Sequence, residues 1–218
     1  MESQNNDHCV RDAGKKTSYA NNFNKYCDPN RWASYWHQIN SVLGCRAEKV
    51  LEIGIGDRVL ANYLKSNTSI DYHSVDVSPD LCPDIVNSID DLKDIEDNFF
   101  DVVCAFEVLE HLPYEKFNKA LGELYRVSSR HVILSLPHWG RHFSFDFRLP
   151  FIKRIRWQIK LQIFGKKHKF DGHHFWELGK RGYSLKRVKS ELVKAGFKIE
   201  KDYIAFESPY HHFFILKK

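Results

Sequence analysis

The chain has 218 residues, of which 43% are hydrophobic and 28% charged, with a formal net charge of +5. That balance suits a folded globular domain and excludes a disordered or fibrous polymer. No run approaches the ~20 apolar residues of a membrane span, and the polar start over residues 1–7 lacks the apolar core of a secretory signal. The five cysteines (Cys9, Cys27, Cys45, Cys82, Cys104) form no Cys-x-x-Cys pair. Neither a zinc site nor a disulfide framework is therefore expected, no metal ligand is assigned, and a cytoplasmic location is the simplest reading.

Residues 1–18 read as a flexible tail, and 19–218 as a single domain without a Gly/Ser/Pro-rich linker. Between Tyr19 and Leu43 aromatic residues crowd together. Trp32, Tyr35, Trp36, Ile39, Val42 and Leu43 recur at spacings of three and four, which predicts a helix burying that face. Residues 49–53 form a short apolar strand that stops at Gly54 and Gly56, and Asp57 is placed to cap a helix over about 58–65. Residues 72–77 read as a strand, followed by a turn at Ser78-Pro79-Asp80. A buried strand over 100–106 precedes a helix that includes 116–127, and a further strand over 131–136 is stopped by Pro137. A helix over 185–195 is closed by Gly196, and 198–203 and 212–216 make the last two strands. This alternation indicates an α/β fold with a doubly wound, mostly parallel sheet. The final two strands lie close in sequence, which suggests one antiparallel edge strand.

Ligands of open α/β sheets bind beyond the carboxyl ends of the strands, near the switch in strand order. The Gly54-Ile55-Gly56 turn falls at such an end, where glycine lets the backbone approach a ligand and adopt positive φ. Asp76 ends the next strand, at about the separation from which a carboxylate grips ribose hydroxyls in dinucleotide folds. The dinucleotide fingerprint would need glycine where Val59 stands, and no Gly-Lys-Ser/Thr follows, so neither NAD nor a P-loop is supported. Taken alone, the Gly-x-Gly pair is also compatible with a plain tight turn.

Val50-Leu51-Glu52-Ile53-Gly54-Ile55-Gly56 resembles motif I of class I methyltransferases that use S-adenosylmethionine (SAM), acid-x-Gly-x-Gly-x-Gly. Phe100-Asp101-Val102-Val103, followed by Glu107-Val108-Leu109-Glu110-His111-Leu112, resembles a stretch of the methyltransferase-11 type group. Ala195-Gly196-Phe197 is similar to the tripeptide before that group's sixth strand. The matches fall in order over about 45–137 and 183–218. The resemblance implies a Rossmann-like, seven-stranded sheet and SAM as cofactor. By position, Glu52, Gly54 and Gly56 would frame the methionine portion, and Asp76 would hold the ribose hydroxyls. Val77 would pack near adenine, which Ser88 and Ile89 of Asn87-Ser88-Ile89 would flank, and Glu107 would stand beside the sulfonium and the substrate. Glu107 and Glu110 also suit a helix start, which favours acids. The chain departs from the pattern at Arg58, the usual third glycine. A side chain there would narrow the methionine end of the site or reach the cofactor carboxylate.

The SAM methyl is already activated by its positive sulfur, so the enzyme mainly aligns a nucleophile and excludes water. A hydroxyl or protonated amine acceptor needs a base, and histidine suits that role near neutral pH. His111, His138, His173 and His174 are the candidates. His111 lies inside the family motif, where orienting the loop is the plainer role. His138 directly follows Pro137, where class I enzymes meet their acceptors. Phe170-Asp171-Gly172-His173-His174-Phe175-Trp176-Glu177 resembles a His-aromatic-Trp-Glu signature in a subset of these enzymes. That resemblance places His174 and Glu177 at the acceptor site; a folded-in polar loop is the bland alternative.

Residues 138–182 form an insertion far longer than the ~2–6 residues of an ordinary strand–helix connection. Its stretch from His138 to Lys169 carries Arg141, Arg148, Lys153, Arg154, Arg156, Lys160, Lys166, Lys167 and Lys169 against a single acid, Asp146. Ile155, Trp157, Ile159, Leu161 and Ile163 alternate as a strand would, while Ile152, Ile155, Ile159 and Ile163 fit a helical stripe; both remain open. The charge suits a solvated face, an anionic acceptor, or an anionic membrane surface at ~1 kcal/mol per basic residue. Nucleic acid would also fit. However, no RNA-binding module is visible, and the Asn/Asp-Pro-Pro-aromatic tetrapeptide of amino-methylating nucleic-acid enzymes is missing. The expectation is a SAM-dependent methyltransferase acting on oxygen or nitrogen of an anionic small-molecule or glycan- or lipid-linked acceptor. An RNA methyltransferase and a non-catalytic SAM-fold binding protein are the alternatives.

Overall fold

The computed structural model describes residues 27–162 and 165–218. The expected tail and the start of the aromatic segment lie outside the described residues. Helix α1 (Pro29–Gly44) begins with Asp28, whose carboxylate accepts the Arg31 amide at 2.8 Å, and with proline in its first turn, both favourable start signals. Its buried stripe is Ser34, Tyr35, Gln38, Ser41 and Val42. Trp32 and Trp36 stay exposed, Trp36 at 60%, so the expected aromatic face is only partly the buried one. The helix is turned toward its small polar side because partners wait there. Ser34 Oγ meets His211 Nδ1 at 2.5 Å, and Ser41 Oγ meets the Tyr203 hydroxyl at 3.4 Å.

Strand β1 (Lys49–Ile53) leads through the glycine turn to α2 (Val59–Asn67), and β2 (Asp71–Asp76) leads through a 3-10 turn (Pro79–Leu81) to the short β3 (Ile85–Val86). Strand β4 (Phe100–Phe106), α3 (Phe117–Val127) and β5 (Ser128–Pro137) follow, then β6 (Arg141–Phe147), β7 (Ile155–Leu161), α4 (Leu185–Lys194), β8 (Lys198–Ile204) and β9 (His211–Lys217). Seven strands form one sheet in the order β3-β2-β1-β4-β5-β9-β8. Neighbours from β3 to β5 are parallel, and β9 runs antiparallel between β5 and β8. The antiparallel component therefore lies at the sheet's far edge, with β8 outermost.

Both faces are covered, as a doubly wound sheet requires. Leu51, Val103, Leu134 and Phe214 enter one apolar cluster, while their neighbours Val50, Val102, Ile133 and Phe213 enter the other. That is the two-residue period of a strand buried on both sides.

The insertion holds a separate antiparallel ribbon of β6 and β7, so the strand reading of 155–161 is the observed one. Register pairs Phe143 with Ile159, Phe145 with Trp157 and Phe147 with Ile155. Alternation places all six on one face, and that face is exposed. The opposite, polar face lies on the body of the protein. Gln158 Nε2 donates to the Ile204 carbonyl at 2.7 Å, Lys160 Nζ donates to the carbonyls of His138 and Pro209, and Arg156 pairs with Glu207. The ribbon is apolar outward and polar inward.

Candidate active site

The crossover from β1 goes to β2 on one side, while β4 pairs with β1 on the other. The carboxyl ends of β1 and β4 thus flank the switch in strand order, where a crevice opens. There the Gly54 amide donates to the Val75 carbonyl at 2.8 Å. Gly54 has φ of +79°, and a Cβ added to it would fall 2.4 Å from Val108 Cγ2, so only glycine fits. The next amide, of Ile55, donates to Asp76 Oδ2 at 3.0 Å, and the Ser78 amide donates to Asp76 Oδ1 at 2.9 Å. Asp76 is thereby fixed between the glycine turn and the end of β2.

A cleft of about 780 Å³ opens over these groups. Gly54, Gly56, Asp76, Val77, Ser88 and Ile89 line one part of it. Glu107, Glu110, His111, His173, His174 and Tyr210 line another. An adjoining space of about 60 Å³ shares Gly54, Gly56 and Glu107 with the cleft and is lined by Glu52 and Asp57. The fold therefore brings all eight residues expected at the cofactor to one connected region.

Their settings differ. Glu52 is buried, and burial pushes its carboxyl up to about 8, with the Tyr72 hydroxyl bond opposing the shift. Ser88 donates to Asp90 Oδ1, so its hydroxyl is already engaged beside the cleft. Glu107 sits at φ +56°, an uncommon conformation for a non-glycine residue. Its Oε1 is buried without a hydrogen-bond partner, and its Oε2 is 3.8 Å from His211 Nε2. Glu110 is fully buried with neither carboxylate oxygen partnered, and burial followed by the Glu107 charge raises its pKa well above the usual range.

In the other part of the cleft, Asp171 Oδ1 accepts the amides of His173 and His174 at 2.9 and 2.8 Å, presenting both imidazoles from one tight loop. These two amides hold the Asp171 carboxyl down to about 2. His174 Nδ1 stands 3.5 Å from Glu177 Oε1, while Lys180 Nζ is 3.0 Å from Glu177 Oε2. Glu177 thus backs His174 and does not itself line the cleft.

His138 is placed elsewhere. It is buried under the ribbon, its Nδ1 3.0 Å from His212 Nδ1 and its Nε2 2.9 Å from Gln162 Nε2. Burial, then the Lys160 charge, lowers its pKa to about 3. It is absent from the cleft lining.

Asp57 does not cap α2. Its carboxylate accepts the Tyr35 hydroxyl, and Arg58 occupies the cap position without a side-chain cap bond. Arg58 adopts φ +65°, the left-handed conformation of the glycine it replaces. Its guanidinium turns to the carbonyls of Leu81 and Cys82, and Leu81 itself lines the cleft. Tyr210 and Asp171 were not foreseen as cleft residues. The Asp-Gly pair at 171–172, a turn signal, was the one available hint for the latter.

Residues 51–136 match a family model described as a methyltransferase domain. Over this stretch, 86 of the 218 residues, the chain is similar to a methyltransferase domain. Its fold is that of known SAM-dependent methyltransferases. The chain is 14% identical to the 1,6-didemethyltoxoflavin-N1-methyltransferase of Burkholderia thailandensis, solved with 1,6-didemethyltoxoflavin and S-adenosylhomocysteine (TM-score 0.58, 96% of this chain, 87% of the other). It is 13% identical to the SAM-bound magnesium protoporphyrin IX methyltransferase of Synechocystis (TM-score 0.59, 95% and 92%). A SAM-dependent methyltransferase of Clostridium acetobutylicum matches at 10% identity (TM-score 0.60, 94% and 99%). No curated protein sequence matches the chain significantly. The matched residues thus include the glycine turn, Asp76 and the Glu107–Leu112 segment, whereas 138–182 falls outside them.

Proposed function

We propose that this methyltransferase binds SAM in the cleft and transfers its methyl group, at an anionic membrane surface, to an oxygen or nitrogen of a lipid-linked acceptor. Two of the neighbours of similar fold were solved with SAM or its product, which supports that cofactor here. Glu52, Gly54 and Gly56 frame the methionine portion, Asp76 takes the ribose hydroxyls, and Val77, Ser88 and Ile89 border the adenine. A cationic methionine ammonium would favour the ionised form of Glu52 that burial opposes. Glu107 stands next to the sulfonium, and His111 and His174, the latter backed by Glu177, face the acceptor. His138 takes no part in this reading. Residues 19–218 act as one domain, with 138–182 as its acceptor-side insertion.

The observation that carries the acceptor class is the inverted ribbon. Phe145 and Trp157 are 54% and 56% exposed on a face that water does not favour. At the tip the apolar Leu149, Phe151 and Ile152 lie between the basic Arg148 and Lys153, while Arg154 pairs with Asp146. Aromatic groups flanked by cations suit the headgroup boundary of an anionic bilayer, where each basic residue contributes ~1 kcal/mol. Among the described residues no helix is long and apolar enough to cross a membrane, so contact would be peripheral. Lys160 and Pro209 link the ribbon to the β8–β9 connection, whose Tyr210 lines the cleft, which would keep the acceptor site near the surface.

Cosedimentation with vesicles tests this reading. The protein should pellet with phosphatidylserine-containing vesicles and much less with pure phosphatidylcholine. Phe145→Asp and Trp157→Asp should abolish pelleting while leaving calorimetric binding of S-adenosylhomocysteine unchanged. Labelled SAM supplied with fractionated cell extract should mark the lipid fraction. Label found only in RNA, with RNA affinity falling steeply with salt, would replace the acceptor class. Absence of binding to both SAM and S-adenosylhomocysteine by the folded protein would sink the enzyme reading.

A further inference from the structure

We propose that Glu110, His111 and His174 hold a divalent transition-metal ion at the acceptor end of the cleft, with Glu107 beside it, and that this ion binds an acceptor hydroxyl. One ligand atom from each of the three lies within 4.8 Å of the others. Bonds of about 2.1 Å would close that span with small rotamer adjustments.

The strongest indication is what Glu110 lacks. It is fully buried, and neither of its oxygens has a hydrogen-bond partner. Glu107 adds a third such oxygen. Buried polar groups in folded proteins are almost always satisfied, and an unpaired buried carboxylate is among the costliest groups to leave so. A cation at this point satisfies them at once.

The two histidines are prepared as ligands. His111 Nδ1 lies 3.0 Å from the His173 carbonyl. A carbonyl only accepts, so this nitrogen carries the proton and Nε2 keeps its lone pair. His174 Nδ1 faces the Glu177 carboxylate at 3.5 Å, the carboxylate–histidine arrangement that orients metal-bound imidazoles. Its backbone is pinned at both ends, by Asp171 at the amide and by His168 Nε2 at the carbonyl, 2.7 Å away. The two rings meet edge-on, centroids 5.0 Å apart at 70°, and a nitrogen of each lies within 4.8 Å of the other and of a Glu110 oxygen.

A second group, Asp171, His174 and Glu177, also has its ligand atoms within 4.8 Å of one another. Its carboxylates are already spoken for: Asp171 by two backbone amides and Glu177 by Lys180. The Glu110 set has its oxygens free for an ion. Two imidazoles with carboxylate oxygen favour Mn²⁺, Fe²⁺, Co²⁺ or Zn²⁺ over Mg²⁺ and Ca²⁺, which take oxygen ligands.

The role of the ion rests on the methyltransferase reading. Glu110, His111 and His174 line the same cleft as Gly54 and Asp76, so its open positions face the acceptor. A hydroxyl bound there loses its proton to water more readily. The oxygen lone pair forms the new bond to the methyl carbon as the sulfur–methyl bond breaks, and the sulfonium becomes the neutral thioether of S-adenosylhomocysteine. Oxygen is then the methylated atom, and His111 and His174 serve as ligands in place of a general base.

Titration of the full chain with Mn²⁺ alone, following the electron paramagnetic resonance of the free ion, tests the site. One ion should bind, with a matching rise in melting temperature. Glu110→Gln and His174→Ala should each weaken binding at least 10-fold. In EDTA, Glu110→Gln should melt at or above the wild-type temperature, because it replaces a buried carboxyl without a hydrogen-bond partner by a neutral amide of the same shape; this separates metal loss from misfolding. Wild-type protein that takes up neither Mn²⁺ nor competing Zn²⁺ would overturn the proposal, as would variants that bind like wild type. Intact Mn²⁺ binding without any S-adenosylhomocysteine binding would keep the metal site and remove the methyltransferase role.

Discussion

Gly54 and Val108 touch across the top of the sheet, leaving no room for even a methyl group between the β1 turn and the loop after β4. Replacing Gly54 by Ala adds a Cβ where φ is +79° and where Val108 Cγ2 stands 2.4 Å away. The backbone term costs about 1–3 kcal/mol and the overpacking a comparable amount. Denaturant unfolding should show the combined loss, and S-adenosylhomocysteine affinity should fall at least 10-fold.

Asp76 and His174 should separate the cofactor part of the cleft from the acceptor part. Asp76→Ala removes the acceptor of the Ile55 and Ser78 amides along with the proposed ribose contact. Charge-assisted bonds of this type are worth about 1.5–3 kcal/mol, so calorimetry should show roughly 10- to 100-fold weaker S-adenosylhomocysteine binding. His174→Ala should leave that affinity within a factor of three and abolish methyl transfer. Equal loss from both changes would show that the two parts are not separable.

Arg58 offers a test of a substituted glycine. Its guanidinium bonds to Leu81 and Cys82 offset a left-handed backbone that costs an L-residue about 1–2 kcal/mol. Arg58→Ala keeps the strain and loses the bonds, and should destabilise by about 1–2 kcal/mol. Arg58→Gly loses both and should lie within about 1 kcal/mol of wild type. Neither change should alter S-adenosylhomocysteine affinity more than threefold, since the guanidinium is engaged by the Leu81 and Cys82 carbonyls.

Burial moves Glu52 from 4.5 to about 8. The folded chain therefore holds this proton more tightly than the unfolded chain. Its stabilising contribution is complete below about pH 4.5 and is lost as pH rises to about 8. Glu110 acts in the same sense. His138 and His212, lowered from 6.5 to about 3 and about 4, act oppositely, and their contribution is lost as pH falls below 6.5. Between pH 6.5 and 8 only the carboxylates of this group change state. Apo-protein stability should decline there, each carboxylate contributing at most about 1.4 kcal/mol per pH unit. Glu52→Gln should visibly flatten the slope.

Much of the fold was legible because local and tertiary preferences agree. The apolar runs of β1 and β4, bounded by polar residues and glycines, are observed at the expected residues. The ribbon was ambiguous because Ile155 and Ile159 satisfy a strand and a helix alike. The missed signal was its partner, where Phe143, Phe145 and Phe147 alternate strictly. Helix α1 misled because aromatic spacing outweighed the inconspicuous Ser34 and Ser41, whose hydrogen-bond partners arrive from the other end of the chain. His138 misled in another way: nearness to a strand end does not tell which side of the sheet a side chain takes. The resemblance assigned the Glu107–Leu112 stretch and His174 to the same end of the site, but not the closeness of Glu110 to His174, since 64 positions separate residues that the folded insertion brings together.

The proposed docking of the outward-facing ribbon on a bilayer would change what substrate concentration means for this protein. Anchored on a bilayer by Phe145, Trp157 and their neighbours, the cleft would meet acceptors diffusing in two dimensions. Turnover would then follow the mole fraction of acceptor in the bilayer, and diluting the surface with inert lipid would slow the reaction even when the total acceptor is unchanged. Release from the bilayer, more than the methyl transfer itself, would set how many acceptors one molecule modifies per visit.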